Sequence, residues 1–352
     1  MKGSIGAFSH RNFHGDPYSY YSKLRQQAPI HSFEAGFWTI SKHKDVVDAL
    51  KRPDLFSSRT GMWQSTPVGE DPPIHTRLRR IASKLISRQS MGVLEKRMRE
   101  TTGRILMEIQ KQNQFDLMGT LANDLPFSII WEILGIPETR RAACFEWLRQ
   151  LKPDPDLERQ LAQLPLWGGE GAGLTEEQRV RFIRFMLIAA TDTTRNLIGN
   201  ATMALLKHPK QMNLARQEKK LLPSLIEEAL RYDTPIPVVD RRTTREISLQ
   251  GILIPPESEV FVLLASANRD EDVFEDADEF RITRDAGKHL AFGEGPHYCL
   301  GAQLGKLEAQ IAMEGLLYHL KGFETLAPLK DAEYIESTKL RGLASLPLSI
   351  KK

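Results

Sequence analysis

Phe292-Gly293-Glu294-Gly295-Pro296-His297-Tyr298-Cys299-Leu300-Gly301 is the stretch on which the reading of this chain turns. It sets one thiol in a short loop with three glycines, just ahead of a helical stretch from about Leu300. A thiolate that binds a metal needs such a loop, because backbone N–H groups must turn toward the sulfur to spread its charge and tune the metal. Gly293, Gly295 and Gly301 allow the φ values and the close approach this requires. The helix that follows would turn its positive N-terminal end toward the sulfur. The other cysteine, Cys144, lies beside Phe145 and Trp147 and reads as a small buried apolar residue. With no Cys-x-x-Cys pair and no clustered histidine, the pattern does not support zinc.

The order Phe-Gly-x-Gly-x-His-x-Cys-x-Gly is met at every fixed position. It resembles the haem-binding loop of the cytochrome P450 superfamily, in its soluble bacterial branch. The resemblance implies that Cys299 is the proximal thiolate ligand of haem b (iron protoporphyrin IX), and that Phe292, Gly293, His297 and Gly301 border the cofactor.

Further motifs follow in the same family's order. Glu228-Ala229-Leu230-Arg231 lies 71 residues before Cys299, counted from Glu228. Ser224 and Glu227, after Pro223, form a capping-box pattern at the start of its helix. Glu228 and Arg231 are three apart and share one helix face. Alone, such a pair reads as a solvated contact of little worth. The resemblance implies a buried pair that braces the core beneath the haem, structural rather than chemical.

Ala189-Ala190-Thr191-Asp192-Thr193-Thr194 lies inside a helical stretch from about Thr175 to Lys207. Thr175 and Gln178 form a capping box, and Pro209 stands just past the end. A helix of that length, roughly 50 Å, crosses a whole globular molecule. Asp-Thr-Thr in mid-helix is locally unfavourable, since these side chains compete for backbone hydrogen bonds. Such violations are expected at functional sites. By resemblance this segment crosses the oxygen-binding face, and Asp192 and Thr193 match the acid–alcohol pair that relays protons during O–O cleavage. Ala190 stands where the family most often has glycine, which narrows the groove slightly.

Haem propionates need cations. Asp71 to Arg80 resembles the family's third helix, where His75 and Arg79, one turn apart, face one propionate. His297 and Arg241 align with the other propionate contacts, Arg242 being the alternative to Arg241; bidentate pairing suits Arg to this role. Met62, Trp63, Ile188, Ala189, Val238 and Val239 fall in regions that line the family's substrate pocket. They are apolar, so part of the substrate is expected to be apolar too.

Composition agrees with a large globular core: 352 residues, 41% apolar, 26% charged, net charge +3. The near balance of charge gives no reason to expect nucleic acid as a partner. No run of about 18 apolar residues indicates a membrane span. Met1 to His10 lacks a signal pattern, and two cysteines argue against a disulfide framework, so a cytoplasmic protein is expected. The fold class is mainly α with small β-sheets, a P450-like single domain over residues 1–352. Hairpins are expected at Pro29–Glu34 with Phe37–Ser41, and at Ile247–Leu249 with Ile252–Ile254 around Gln250-Gly251. Further strands are expected at Glu259–Leu264 and Leu343–Ile350.

The chain is shorter than soluble members of that family usually are. Between Trp147 and Thr175 only 27 residues remain, where the family has a pair of helices roofing the pocket. Lys152-Pro153-Asp154-Pro155-Asp156 and Trp167 to Gly173 favour loops, leaving one helix near Leu157 to Leu164. Ser57 to Asp71, the other roof element, is also brief. A shortened roof over about residues 150–174 and an open distal face are expected. Two functions follow. One is a monooxygenase of secondary metabolism that inserts an oxygen atom into a C–H bond of a free organic molecule. The alternative is a P450-fold protein whose open face recruits a carrier-tethered substrate or another tailoring enzyme. A ferredoxin or flavodoxin is the expected electron donor, docking on a basic patch of Arg79, Arg80, Lys84, Arg88 and Lys306.

Overall fold

The computed structural model describes residues 16–61, 63–87, 91–150, 154–164, 173–320 and 322–351. Met62, Arg88, Lys152-Pro153 and the stretch from Trp167 to Ala172 lie outside them.

The first helix, α1 (Pro17–Gln27), starts where Asp16 accepts the Tyr18 N–H at 3.0 Å and Pro17 fills the first turn. Next come β1 (Ile30–Ser32), β2 (Phe37–Ile40), α2 (His43–Lys51) and β3 (Phe56–Ser57). A helical run follows: α3 (Ile74–Ser87), α4 (Met91–Gln110), the short strand β4 (Gln114–Asp116), α5 (Leu121–Leu134), α6 (Glu138–Gln150) and α7 (Pro155–Ala162). Then come α8 (Glu176–Lys207), α9 (Pro209–Gln217) and α10 (Leu222–Tyr232). The remaining elements are β5 (Val239–Thr243), β6 (Ile247–Leu249), β7 (Ile252–Ile254), β8 (Glu259–Val262), α11 (Leu264–Ala267), α12 (Ala302–Glu314), β9 (Phe323–Thr325) and β10 (Pro347–Ile350).

The five-stranded sheet has the order β1-β2-β8-β5-β3, with β2 and β8 parallel and the other pairs antiparallel. β4, β10 and β9 form an antiparallel trio, and β6 and β7 form a hairpin. Gln250 (φ 52) and Gly251 (φ 78) both adopt left-handed backbone in that turn, as a two-residue hairpin requires.

α8 has the expected capping box: Thr175 Oγ1 accepts from Gln178 N–H at 3.2 Å, and Gln178 Oε1 accepts from Thr175 N–H at 3.0 Å. Its second half, Asn196 to Leu205, is buried on every side, so the helix runs through the core rather than along it. Leu121, Leu125, Leu225 and Ile311 share that core with it. A second apolar cluster beneath the sheet includes Ile40, Phe56, Val260 and Leu290.

Several boundaries differ from the sequence reading. The strand expected from Leu343 begins only at Pro347, because Leu343 and Leu346 turn into the main core. Leu264 ends the Glu259 strand by starting a helix. The roof helix is eight residues, set by Pro155 in its first turn and by Asp154, whose Oδ1 accepts the Leu157 N–H. The Ser224–Glu227 capping box does not form. α10 grows out of a tight turn at Lys219–Leu221 and has no side-chain cap. Ser224 Oγ donates instead to Arg284 O, and Glu227 faces other partners.

Candidate active site

The Cys299 loop is tied at its entrance and closed on itself. Leu290 N–H donates to Asn268 Oδ1 at 2.6 Å, Gly293 N–H to Leu290 O at 2.9 Å, and Cys299 N–H to Phe292 O at 2.8 Å. Gly293 (φ +71) and Gly295 (φ +69) occupy left-handed backbone. A Cβ on Gly295 would also lie 2.7 Å from Leu50 O at the end of α2, so that residue admits no side chain. Gly301 differs from the expectation. Its φ is −85°, and its contribution is proximity: it is the N-cap of α12, and its N–H bonds to the Cys299 sulfur. The helix therefore begins at Ala302, not Leu300. Cys299 keeps an open face. Crowding by the surrounding protein pushes its thiol up, and the Gly301 N–H and the Arg79 charge oppose that. Cys144 is fully buried, and burial pushes its thiol to about 11, as a core cysteine should behave.

Glu228 and Arg231 are both 0% exposed, so the solvated-pair reading fails and the bracing reading fits. Arg231 donates to both Glu228 oxygens at 2.7 and 2.9 Å, and to the carbonyls of Asn268, Ala277 and Glu279. Glu228 further accepts from Arg281 N–H and from Arg284 Nε. Asn268, held through its carbonyl by Arg231, is the residue whose amide oxygen anchors Leu290. The pair thus connects to the thiol loop through one residue.

Beside the loop lies a buried cluster of cationic and imidazole groups. His75 on α3 is 3% exposed, and neither ring nitrogen has a hydrogen-bond partner. Its ring stands 4.2 Å from that of His297, centroid to centroid. His297 Nε2 meets Ser58 Oγ at 3.0 Å, and its ring also bonds to the Pro67 backbone. Burial, together with the charges of Arg241, His75 and Arg79, pushes His297 down to about 3. Arg241 is buried, donates to its neighbour's carbonyl at Asp240, and has no carboxylate at ion-pair distance among the described residues. Burial lowers it to about 10. Arg242, next along β5, points outward and pairs with Glu257 at 3.6 Å, so strand alternation turns Arg241 inward and Arg242 to the surface. A buried guanidinium beside two imidazoles is costly when no carboxylate touches it, and Asp71 and Asp240 offset that only from a distance. Carboxylates entering here would relieve that cost, and the donor set fits the propionates of haem b.

On α8 two threonines of the polar segment bond back to the preceding turn. Thr191 Oγ1 donates to Leu187 O at 2.8 Å, and Thr193 Oγ1 to Ala189 O at 2.9 Å. Burial raises the Asp192 carboxyl, and Arg195 opposes it. Arg195 is itself anchored on the carbonyls of Leu343 and Ala344. Ile188 and Ala189 are half-buried. One turn earlier, Phe185 meets the Trp63 ring edge-on at 5.9 Å, which brings the short loop onto α8. Val239 is half-buried, but Val238 packs into a core cluster with Tyr18, Phe33 and Phe37.

Sequence reading missed Glu308. It is 2% exposed on α12, contacts Thr194, and is pushed up by burial to about 8. The signal was present: Leu304, Glu308 and Ala312 recur every four residues on a buried face.

The described part of the Trp147–Thr175 stretch is fastened to α8. Trp147 Nε1 donates to Glu158 Oε1 on α7 at 2.9 Å, and Arg184 on α8 reaches the same oxygen at 3.5 Å. The Arg184 guanidinium lies 4.0 Å from the Trp147 ring centre. Arg179 donates to Ala162 O at the end of α7.

The sequence model of the family Cytochrome P450 matches residues 158–351, more than half of the chain, including the Asp192-Thr193, Glu228–Arg231 and Cys299 segments but not α3 with His75 and Arg79. The chain belongs to the cytochrome P450 family. It is similar to Cytochrome P450 109 of Bacillus spizizenii, 33% identical over 374 positions that take in 95% of this chain and 92% of that protein. Among solved structures it resembles the versatile P450 enzyme CYP109B1 from Bacillus subtilis, with TM-score 0.85 and 30% identity over 95% of this chain and 99% of that one. It also resembles P450BioI in complex with an acyl carrier protein bearing hexadec-9Z-enoic acid, with TM-score 0.85 and 28% identity over 95% and 98%. The alignment to the Bacillus spizizenii protein is longer than the 352 residues of this P450, so that relative carries segments this one lacks. This P450 is a haem b oxidoreductase of the monooxygenase type. Among the described residues, no helix is long and apolar enough to cross a membrane.

Proposed function

We propose that this P450 inserts one atom of dioxygen into a C–H bond of a partly apolar organic molecule of secondary metabolism. Its electrons come from a separate ferredoxin- or flavodoxin-type donor. The observation that carries the reading is the cluster of His75, His297 and Arg241 beside the Cys299 loop, where the His75 ring nitrogens have no partner and no carboxylate contacts Arg241. Cys299 is the proximal ligand, with Phe292, Gly293 and Gly301 around it, and His75, Arg79, Arg241 and His297 hold the propionates. Haem b so held supplies dioxygen activation and hydrogen abstraction.

The chain's own residues then have distinct tasks. The Gly301 N–H bonds to the Cys299 sulfur, tempering its basicity. The second oxygen atom of dioxygen leaves as water, which requires two protons at the distal face. Asp192, with a carboxyl raised by burial, takes protons up closer to neutrality than a solvated aspartate would. Thr193 Oγ1 passes them on, exchanging its bond to Ala189 O for one to ordered water. Trp63, Ile188, Ala189 and Val239 form the apolar wall that orients the substrate and limits water.

Thr193→Ala removes the hydroxyl but leaves the helix intact. General acid–base groups contribute roughly 10²–10⁴-fold, and water can partly replace one hydroxyl. Product formed per NAD(P)H should therefore fall by about tenfold, with peroxide release rising to match. Unchanged coupling, read from peroxide and NAD(P)H together, would count against the relay.

The donor surface is narrower than the sequence suggests. Arg80 and Lys84 are exposed one turn apart on α3, but Arg79 faces the buried cluster and Lys306 is paired with Glu227 at 2.8 Å.

A second reading keeps the same site and adds recruitment: the substrate arrives tethered to a carrier domain that covers the shortened roof. The brevity of residues 150–174 and the carrier-bound relative support it. A Soret-band titration of the ferric enzyme separates the two. A high-spin shift with free apolar molecules favours the free substrate, and a shift confined to carrier-tethered forms favours recruitment.

A further inference from the structure

Two adjacent carboxylates on α10 face opposite ways. Glu228 enters the core, whereas Glu227 turns to the thiol loop. Its Oε2 meets His289 Nε2 at 2.8 Å and its Oε1 meets Lys306 Nζ at 2.8 Å. The His289 tautomer is fixed by a third bond: Ala291 N–H donates to Nδ1 at 3.2 Å, so Nε2 carries the proton and donates to Glu227. His289 stands ten residues before Cys299, and Lys306 seven after it. Both lean on Phe292, the His289 ring at 5.8 Å and Lys306 Nζ at 5.9 Å from its ring centre. Phe292 O in turn accepts the Cys299 N–H at 2.8 Å.

We infer that Glu227 is a positioning residue for the thiolate: one carboxylate ties the entrance of the Cys299 loop to the helix behind it, and cancels the Lys306 charge on that face. An exposed ion pair would contribute little. Here Glu227 and Lys306 are about a third exposed, but the His289 side chain is only 6% exposed, and both carboxylate oxygens are engaged by donors that flank the same aromatic ring. Against the burial that raises it, the bonds from His289 and Lys306 hold the Glu227 carboxyl down at about 2, so the clamp stays charged at working pH. The charge-cancelling part rests on the donor surface proposed above; the positioning part does not.

Glu227→Gln in the haem-loaded enzyme is the test. An amide has one acceptor oxygen, so its NH₂ must face either His289 Nε2–H or the Lys306 ammonium, donor against donor. One arm of the clamp is lost. The reduced CO complex should then show a growing fraction without the thiolate-type Soret band. The midpoint potential should rise, because one negative charge beside the loop is gone. Glu227→Asp, which keeps the charge, should restore most of the potential. The KM for an acidic ferredoxin at low salt should fall severalfold as Lys306 is uncovered, and lose that gain at high salt. A lower melting temperature with unchanged CO spectrum and potential would mean a merely structural contact and would overturn the positioning role. An unchanged KM alongside a shifted spectrum overturns only the charge-cancelling part. If Glu227→Gln does not load haem, Lys306→Gln carries the test through its CO spectrum, and an unaltered spectrum there overturns the clamp.

Discussion

Cys299→Ser gives a protein whose reduced CO complex lacks the thiolate-type Soret band and whose oxygenation of substrate falls to background. A serine hydroxyl is far harder to deprotonate than a thiol. The aids within reach of the sulfur are the Gly301 N–H and the charge of Arg79, and these fall short of the upward push of burial even on the thiol. They cannot make an alkoxide, so the proximal electron push is lost. Haem uptake should survive, because the propionate cluster of His75, His297 and Arg241 is untouched and the loop is closed by backbone bonds, Cys299 N–H to Phe292 O among them. The variant therefore separates cofactor loading from ligation. Stoichiometric haem with no thiolate band is the expected pair of readings, and a retained band would sink Cys299 as the ligand.

The sequence was most legible where chemistry forces residue types. The thiol loop, the Glu228–Arg231 pair and the Asp192-Thr193 segment each carry a motif, and the structure sets two of them in direct connection through Asn268. The hairpin at Gln250-Gly251 and the capping box of α8 were legible because local backbone physics decides them. β3, β4 and β9 were not, being two or three residues long and strands only through their partners. The Ser224–Glu227 pattern misled because Lys219–Leu221 delivers the chain into α10 already turned, so no cap is needed, and Glu227 is left free for the loop. Lys306 read as a surface cation because its partner is 79 residues away. Tertiary pairing of that kind is invisible to local pattern.

Glu228→Ala should be the most destabilising single change in this P450. Removing one member of a buried ion pair leaves the other charged and unpaired, at a cost of about 3–5 kcal/mol. Here the loss is compounded. The Arg281 N–H loses its acceptor, and the Arg284 side chain, 8% exposed, loses its carboxylate. Against a total stability of about 5–15 kcal/mol this is roughly a fifth or more, so haem loading should collapse before the fold is fully lost, since Asn268 and Leu290 hang from the same network. Denaturant midpoints of the apo-protein and haem content after purification read both effects. The double variant Glu228→Ala/Arg231→Met decides what kind of brace this is. Where a buried pair stands alone, an apolar replacement is often neutral or better. Arg231 does not stand alone, since it also satisfies the carbonyls of Asn268, Ala277 and Glu279. Methionine would leave the Asn268 and Ala277 carbonyls bare and Glu279 O with only the Arg284 donor, so the double variant should remain clearly destabilised. Recovery to near wild-type stability would show that the pair only cancels its own charge, and that the loop does not depend on it.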